Sequence, residues 1–252
     1  SNIHSKGWNK FLYGEPYVVL EIAVHHVGEE TLFYISVPRS SEAIIEKQLY
    51  GLYPQAEVEK VLDYNIFNAQ GAVAGAYLAY SGNPILPFRT YQKLETDPIG
   101  GILTAMSKLE AESEGAALQI LIRPTHADGQ KSLAEKVARE MQSGYQFKEA
   151  LQRVKNPSAP KKSDPNKPSE PEKPRVVTPA DDETIKAISA KAGKQNFDTN
   201  IRLLASAGSQ VRADQLLQDF EGALVQFSAP DLNTLKSVKL AKASLNKLIY
   251  NF

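Results

Sequence analysis

GAALQILIRP, Gly115 to Pro124, sets the architecture of this chain. Gly115 releases a continuous apolar run, Ala116 to Ile122, and Arg123-Pro124 closes it. A strand buried on both faces reads this way, whereas a half-exposed one alternates, so the run predicts a central strand. Upstream, Asp97-Pro98 is a helix entrance with Asp as cap and Pro in the first turn. Ile99, Ile102, Leu103, Met106 and Leu109 then form an apolar stripe that ends at the acidic stretch Glu110 to Glu114. Downstream, Asp128 to Gln142 predicts a second helix, with Leu133, Val137 and Met141 on one face and its end near Gly144.

Further toward the N-terminus, Tyr17 to His25 (YVVLEIAVH) and Thr31 to Val37 (TLFYISV) flank Gly28-Glu29-Glu30 and predict a hairpin. Pro38 to Ser41 supplies a turn and an N-cap. Ile44, Ile45, Gln48, Leu49 and Leu52 recur at helical spacing, which predicts a helix packed on that hairpin. Ala56 to Tyr64 alternates Val58, Lys60 and Leu62 with Glu57, Glu59 and Val61, the pattern of a third strand, with helix as the alternative. In Gly71 to Tyr80, Val73, Tyr77 and Leu78 favour strand while the alanines tolerate helix.

Lys155 to Pro179 carries seven prolines among Lys, Ser, Asp and Glu, a linker composition that favours extended, unpacked chain. It divides the sequence into an α/β region over 1–150, a Pro/Lys-rich linker over 151–179 and a smaller α/β segment over 180–252. In the last segment, helix Asp181 to Ala192, strand Asn196 to Ala207, helix Gln210 to Gln226 and a weaker element, Thr234 to Leu240, follow in order. LQILIRP (Leu118 to Pro124) and TNIRLLASA (Thr199 to Ala207) each hold an Arg among aliphatics and lead into a long helix, a faint signal of duplication. The expected fold is α+β, antiparallel-rich, with helices packed on one face of the sheet. The segment after the linker either completes the same sheet or forms a second ferredoxin-like unit.

The 252 residues, 42% hydrophobic and 23% charged, are enough for one large domain or two ordinary ones. Lys+Arg and Asp+Glu stand at 29 each, so no whole-molecule field draws in nucleic acid or anionic lipid, and any basic site has to be local. The absence of Cys excludes disulfides, thiol nucleophiles and thiolate metal sites, and it agrees with a cytosol-facing location. No apolar stretch is long enough to cross a bilayer. Ser1-Asn2 without an initiator Met reads as a tag remnant, and the apolar run Leu245, Leu248, Ile249 and Tyr250 near the C-terminus carries the expectation that the parent protein continues.

The chain lacks the motifs of common catalysis. Neither G-x-x-x-x-G-K-[ST] nor G-x-G-x-x-G occurs, and Gly100-Gly101, inside an amphipathic stretch, is better explained by close packing. Adjacent His25 and His26 on a strand point to opposite faces and cannot chelate one ion. There is no G-x-S-x-G elbow, and carboxylates such as Glu57/Glu59 and Glu110/Glu112/Glu114 read as solvated faces. No catalytic, cofactor or metal residue is therefore expected. For nucleic acid, Phe33 and Tyr34 could stack bases, but core packing explains them better. The candidate phosphate contacts are Lys161 and Lys162 in the linker and Lys236, Lys239 and Lys242 near the C-terminus. These last three, with Lys247, read alternatively as the soluble face of an amphipathic helix.

Longer phrases carry a resemblance. LEIAVHHVGEETLFYISVP (Leu20 to Pro38), QLYGLYPQAEVEKVLDYNIF (Gln48 to Phe67), PFRTYQKLETDPIGGILTAMSKLEAESEGAALQILIRP (Pro87 to Pro124), NIRLLASA (Asn200 to Ala207) and FEGALVQFSAPDLNTLK (Phe220 to Lys236) together resemble the region that precedes the motor in bacterial type IV secretion conjugative DNA-transfer ATPases. In that family ATP chemistry belongs to a downstream RecA-type domain, and none of its Walker motifs falls in this chain. The resemblance implies an accessory module on the cytosolic side of a membrane. Its partners would be the downstream ATPase domain and other copies in a ring, with DNA as a further one, and the module itself would not insert in the bilayer. A single-stranded nucleic-acid platform built on the lysines is the alternative.

Overall fold

A computed structural model describes residues 16–25, 30–61, 64–94, 97–111, 113–125, 128–157, 175–229 and 232–250. Six strands form one antiparallel sheet: β1 (Val18–Val24), β2 (Leu32–Ser36), β3 (Ala72–Tyr80), β4 (Gly115–Pro124), β5 (Phe197–Ala207) and β6 (Leu235–Lys239). Their spatial order is β2-β1-β4-β5-β3-β6. Strands from both sides of the proline-rich stretch thus share a single sheet, and among the described residues the segment after the prolines completes that sheet rather than forming a second one. The two Arg-bearing segments, LQILIRP and TNIRLLASA, pair with each other, Leu118 facing Leu203 and Arg123 facing Asp198.

Among the described residues seven α-helices accompany the sheet: α1 (Glu42–Leu52), α2 (Pro98–Met106), α3 (Asp128–Gln142), α4 (Phe147–Lys155), α5 (Pro179–Ala192), α6 (Gln210–Leu224) and α7 (Lys242–Tyr250). Because side chains alternate along a strand, β4 sends Ala116 and Leu118 to one face and Ala117 and Gln119 to the other. On the first face, Leu203, Ala205 and Ala74 meet Ile102 and Met106 of α2 and Leu216, Leu217 and Phe220 of α6, which forms the main core. On the second face, Ala23, Ala117 and Leu204 meet Ile66 and Leu248 of α7. A third cluster joins α3, α4 and α5 through Val137, Met141, Ala150, Ile185 and Ile188, and it takes in Ile85 from the loop after β3.

The predicted α2 entrance is present: Asp97 Oδ1 accepts from the Ile99 N–H at 3.0 Å, with Pro98 in the first turn. Asp97→Ala is expected to lower stability by about 1 kcal/mol. A fall in the urea midpoint with unchanged m would read it; no fall would remove the cap from the account.

Three expectations fail. Residues 56–61 form no strand, and Val58 and Val61 are exposed, because no neighbouring strand takes up their backbone groups. Helix α1 forms as its spacing predicts, but none of its residues is fully buried, and the stripe expected to face the hairpin leaves Ile44 and Leu52 62% and 73% exposed. Phe33 is 61% exposed rather than core. It shares a face with Ile22, opposite it across the β1–β2 ladder, but Ile22 packs against the main core and Phe33 is not part of it.

Candidate functional site

On the second face a row of side chains crosses the sheet at right angles to the strands. Register places Tyr34 (β2) opposite Glu21 (β1), Glu21 opposite Gln119 (β4), Gln119 opposite Arg202 (β5), and Arg202 opposite Tyr77 (β3). Cross-strand neighbours on one face lie close enough for polar side chains to bond. Gln119, only 4% exposed, donates through Nε2 to Glu21 Oε1 at 2.7 Å, and the Tyr64 hydroxyl donates to the other Glu21 oxygen. Tyr64 stacks on Tyr34 and on His25, with ring centroids 4.1 and 4.9 Å away, and the Tyr34 hydroxyl lies 2.7 Å from His25 Nε2. Glu21 is thereby held as an acceptor from two sides, while the buried Gln119 Oε1 meets no partner.

Helix α7 lies over the β5–β3 end of this face. Leu245 Cδ1 would come within 2.8 Å and Leu204 Cδ2 within 3.1 Å of a Cβ at Gly75, so a side chain there would make these leucines shift. Between α7 and the polar row lies a cleft of about 230 Å³, lined by Tyr77, Asn200, Arg202, Leu240, Ser244, Lys247 and Leu248. Arg202 donates through Nε to Asn200 Oδ1 at 3.4 Å, and among the described residues it has no ion-pair partner within 4.0 Å. Burial lowers its pKa, opposed by the charges of Tyr17 and Glu21 nearby.

The lysines foreseen as phosphate contacts lie in different parts of the chain. Lys161 and Lys162 lie outside the described residues. Lys236 and Lys239 sit three apart on β6 and so point to opposite faces; Lys239 pairs with Asp214 of α6 at 3.1 Å. Lys242 opens α7 and is exposed. His26 is outside the described residues, while His25 belongs to the aromatic stack. Among the described residues no group of three His, Asp or Glu side chains is placed to hold a metal ion. No helix there is long and apolar enough to cross a membrane.

A second surface is apolar. Leu20, Phe33, Ile35 and Phe197 stand exposed on the first face, past the edge of α2 and α6, and Ile44, Leu52 and Tyr53 are exposed on and just after α1. The outer strands differ in character. β6 (LKSVK) carries two lysines, whereas β2 (LFYIS) carries no charge, although charged outer strands are the usual guard against edge pairing. Glu21, Gln119, Tyr64 and Arg202 were not foreseen as a group; the signals for them were Gln119 and Arg202, polar residues within two otherwise aliphatic strands.

A family model described as a domain of unknown function (DUF8128) matches residues 14–244. No curated protein and no solved structure matches the chain.

Proposed function

The chain belongs to the DUF8128 family, a domain of unknown function, and from that premise we propose that it is a non-catalytic interaction module. In this reading it serves assembly or docking in a conjugative DNA-transfer ATPase of the type IV secretion kind, on the cytosolic side of the membrane and upstream of the motor. The observation that carries the reading is the apolar surface of residues 32–53: a helix with no fully buried residue, an uncharged outer strand, and Phe33 and Leu52 exposed. Exposed apolar side chains that gather on neighbouring elements mark surfaces that other proteins cover. An uncharged outer strand also offers unpaired N–H and C=O groups to a strand of a neighbouring copy.

Sedimentation of the purified chain over a range of concentrations tests the proposal. Reversible self-association is expected, lost in the double variant Phe33→Glu/Leu52→Glu while the circular dichroism spectrum is kept, because each substitution places a charge in the contact. A chain that stays monomeric throughout, or a variant that associates as well as the parent, overturns it. Binding to a single-stranded oligonucleotide that weakens steeply with salt would favour the nucleic-acid platform instead.

A further inference from the structure

We propose that the cleft between α7 and β5–β3 is a binding site for a small phosphate monoester, whose phosphate meets Arg202 and Lys247 and whose organic part lies against Tyr77, Leu240 and Leu248. The site is on the opposite sheet face from Phe33, and it stands or falls separately from the assembly reading.

The cleft gathers the chemistry a phosphate needs. Arg202 and Lys247 both line it, with Asn200 and Ser244 as further hydrogen-bonding groups. A guanidinium half-buried in a sheet face ordinarily has a carboxylate in contact, since burying a charge without one is costly. Arg202 has only the long bond from Nε to Asn200, and its terminal nitrogens are directed to no described acceptor. The nearest acid in the row, Glu21, is already engaged by Tyr64 and Gln119. The planar fork of Arg suits two oxygens of one phosphate, and a lysine adds a point charge, so a dianion fits the pair better than a monoanion. About 230 Å³ holds a phosphate with a modest organic group, and the apolar side of the cleft sets that group against Tyr77 and Leu240.

Titration of the isotopically labelled chain with inorganic phosphate, acetate and a nucleoside 5′-monophosphate, followed by amide NMR shifts, tests the site. Saturable shifts are expected at Tyr77, at 200–203 and at 244–248, with the monophosphate tighter than phosphate and phosphate tighter than acetate. Arg202→Gln is expected to weaken phosphate binding about tenfold or more, the worth of a charge-assisted contact. Ser244→Asp, on the exposed surface of α7, provides a second reading should Arg202→Gln fail to fold; the added carboxylate is expected to abolish binding. Shifts that do not saturate or that fall elsewhere, acetate binding as tightly as phosphate, or unchanged affinity in a folded variant overturn the proposal.

Discussion

Arg212→Ala is expected to lower the unfolding free energy by about 3 kcal/mol at neutral pH and by much less near pH 3. Glu114 lies at the entrance to β4 and is 4% exposed. Arg212, in the first turn of α6, reaches it with Nε at 2.7 Å and with a terminal nitrogen at 3.1 Å, and the same terminal nitrogen donates to the Lys108 carbonyl at 2.8 Å. Glu114 Oε2 also accepts from the Glu110 N–H at 2.8 Å. One guanidinium thus ties α6 to the turn between α2 and β4. Removing it strands a buried carboxylate, which costs more than the pair contributed.

The pH dependence follows from the same carboxylate. Burial acts to raise the Glu114 pKa, but the hydrogen bonds from Arg212 and the Glu110 N–H, with the Arg212 charge, outweigh it and hold the value below the ordinary 4.5. A folded-state pKa below the unfolded one means that the unfolded chain binds more protons in this window. The contribution is therefore complete above about pH 4.5 and fades as the pH falls through the lowered value. In Arg212→Ala the isolated carboxyl is protonated more readily, so the gap between variant and parent closes in acid. Adding Glu114→Gln to Arg212→Ala is expected to recover part of the loss, since the side chain left behind is then neutral. Denaturant curves at both pH values decide the matter: an equal loss at each, or one under about 1 kcal/mol, would place the pair among weak surface bridges.

The other large effect concerns Gly115. A Cβ there would stand 2.5 Å from the Ile66 carbonyl oxygen and 2.9 Å from that of His25, both backbone atoms that cannot swing aside. The close fit arises because His25, just after β1, and the crossing segment 64–68 converge on the first residue of β4. Gly115→Ala is expected to cost about 3 kcal/mol, the upper end for overpacking, and Gly115→Val to prevent accumulation of folded protein. Gly222 provides the contrast. Nothing lies within 4 Å of a Cβ at this α6 position, so Gly222→Ala is expected to stabilise the chain by up to about 1 kcal/mol through helix propensity. Thermal unfolding of the two alanine variants and the soluble yield of Gly115→Val would show it, and a Gly115→Ala protein as stable as its parent would mean that 64–68 sits farther from β4.

Elements with dense apolar pattern were legible. AALQILI and NIRLLASA form β4 and β5, and the periodic runs around Val137 and Leu216 form α3 and α6, because burial on a long face leaves few alternatives for such sequences. Helix α4 was passed over although Phe147, Ala150, Leu151 and Val154 have helical spacing, since its polar residues and its place before the prolines read as linker. The alternation of 56–64 was misleading: period two is necessary for a half-buried strand but supplies no partner for it. Phe33 was misjudged for a related reason, since facing the core side of a sheet does not guarantee a helix above it. The polar row depended on strand register, and register depends on which strands are neighbours. Gln119 and Arg202 were each visible as polar residues in aliphatic strands, but their meeting with Glu21 and Tyr64 was not.

The central place of β5, between β4 and β3, bears on how the protein is made. A nascent chain emerges with β3 and β4 already synthesised; β4 has β1 on one side and a bare edge on the other, and β3 has neither neighbour, until the residues beyond the prolines arrive. Closure over such a separation is slow, and meanwhile the half-made sheet is a substrate for chaperones and for mispairing. The same geometry makes the protein a candidate for complementation by two separately expressed pieces, the shorter one completing the sheet left open by the longer.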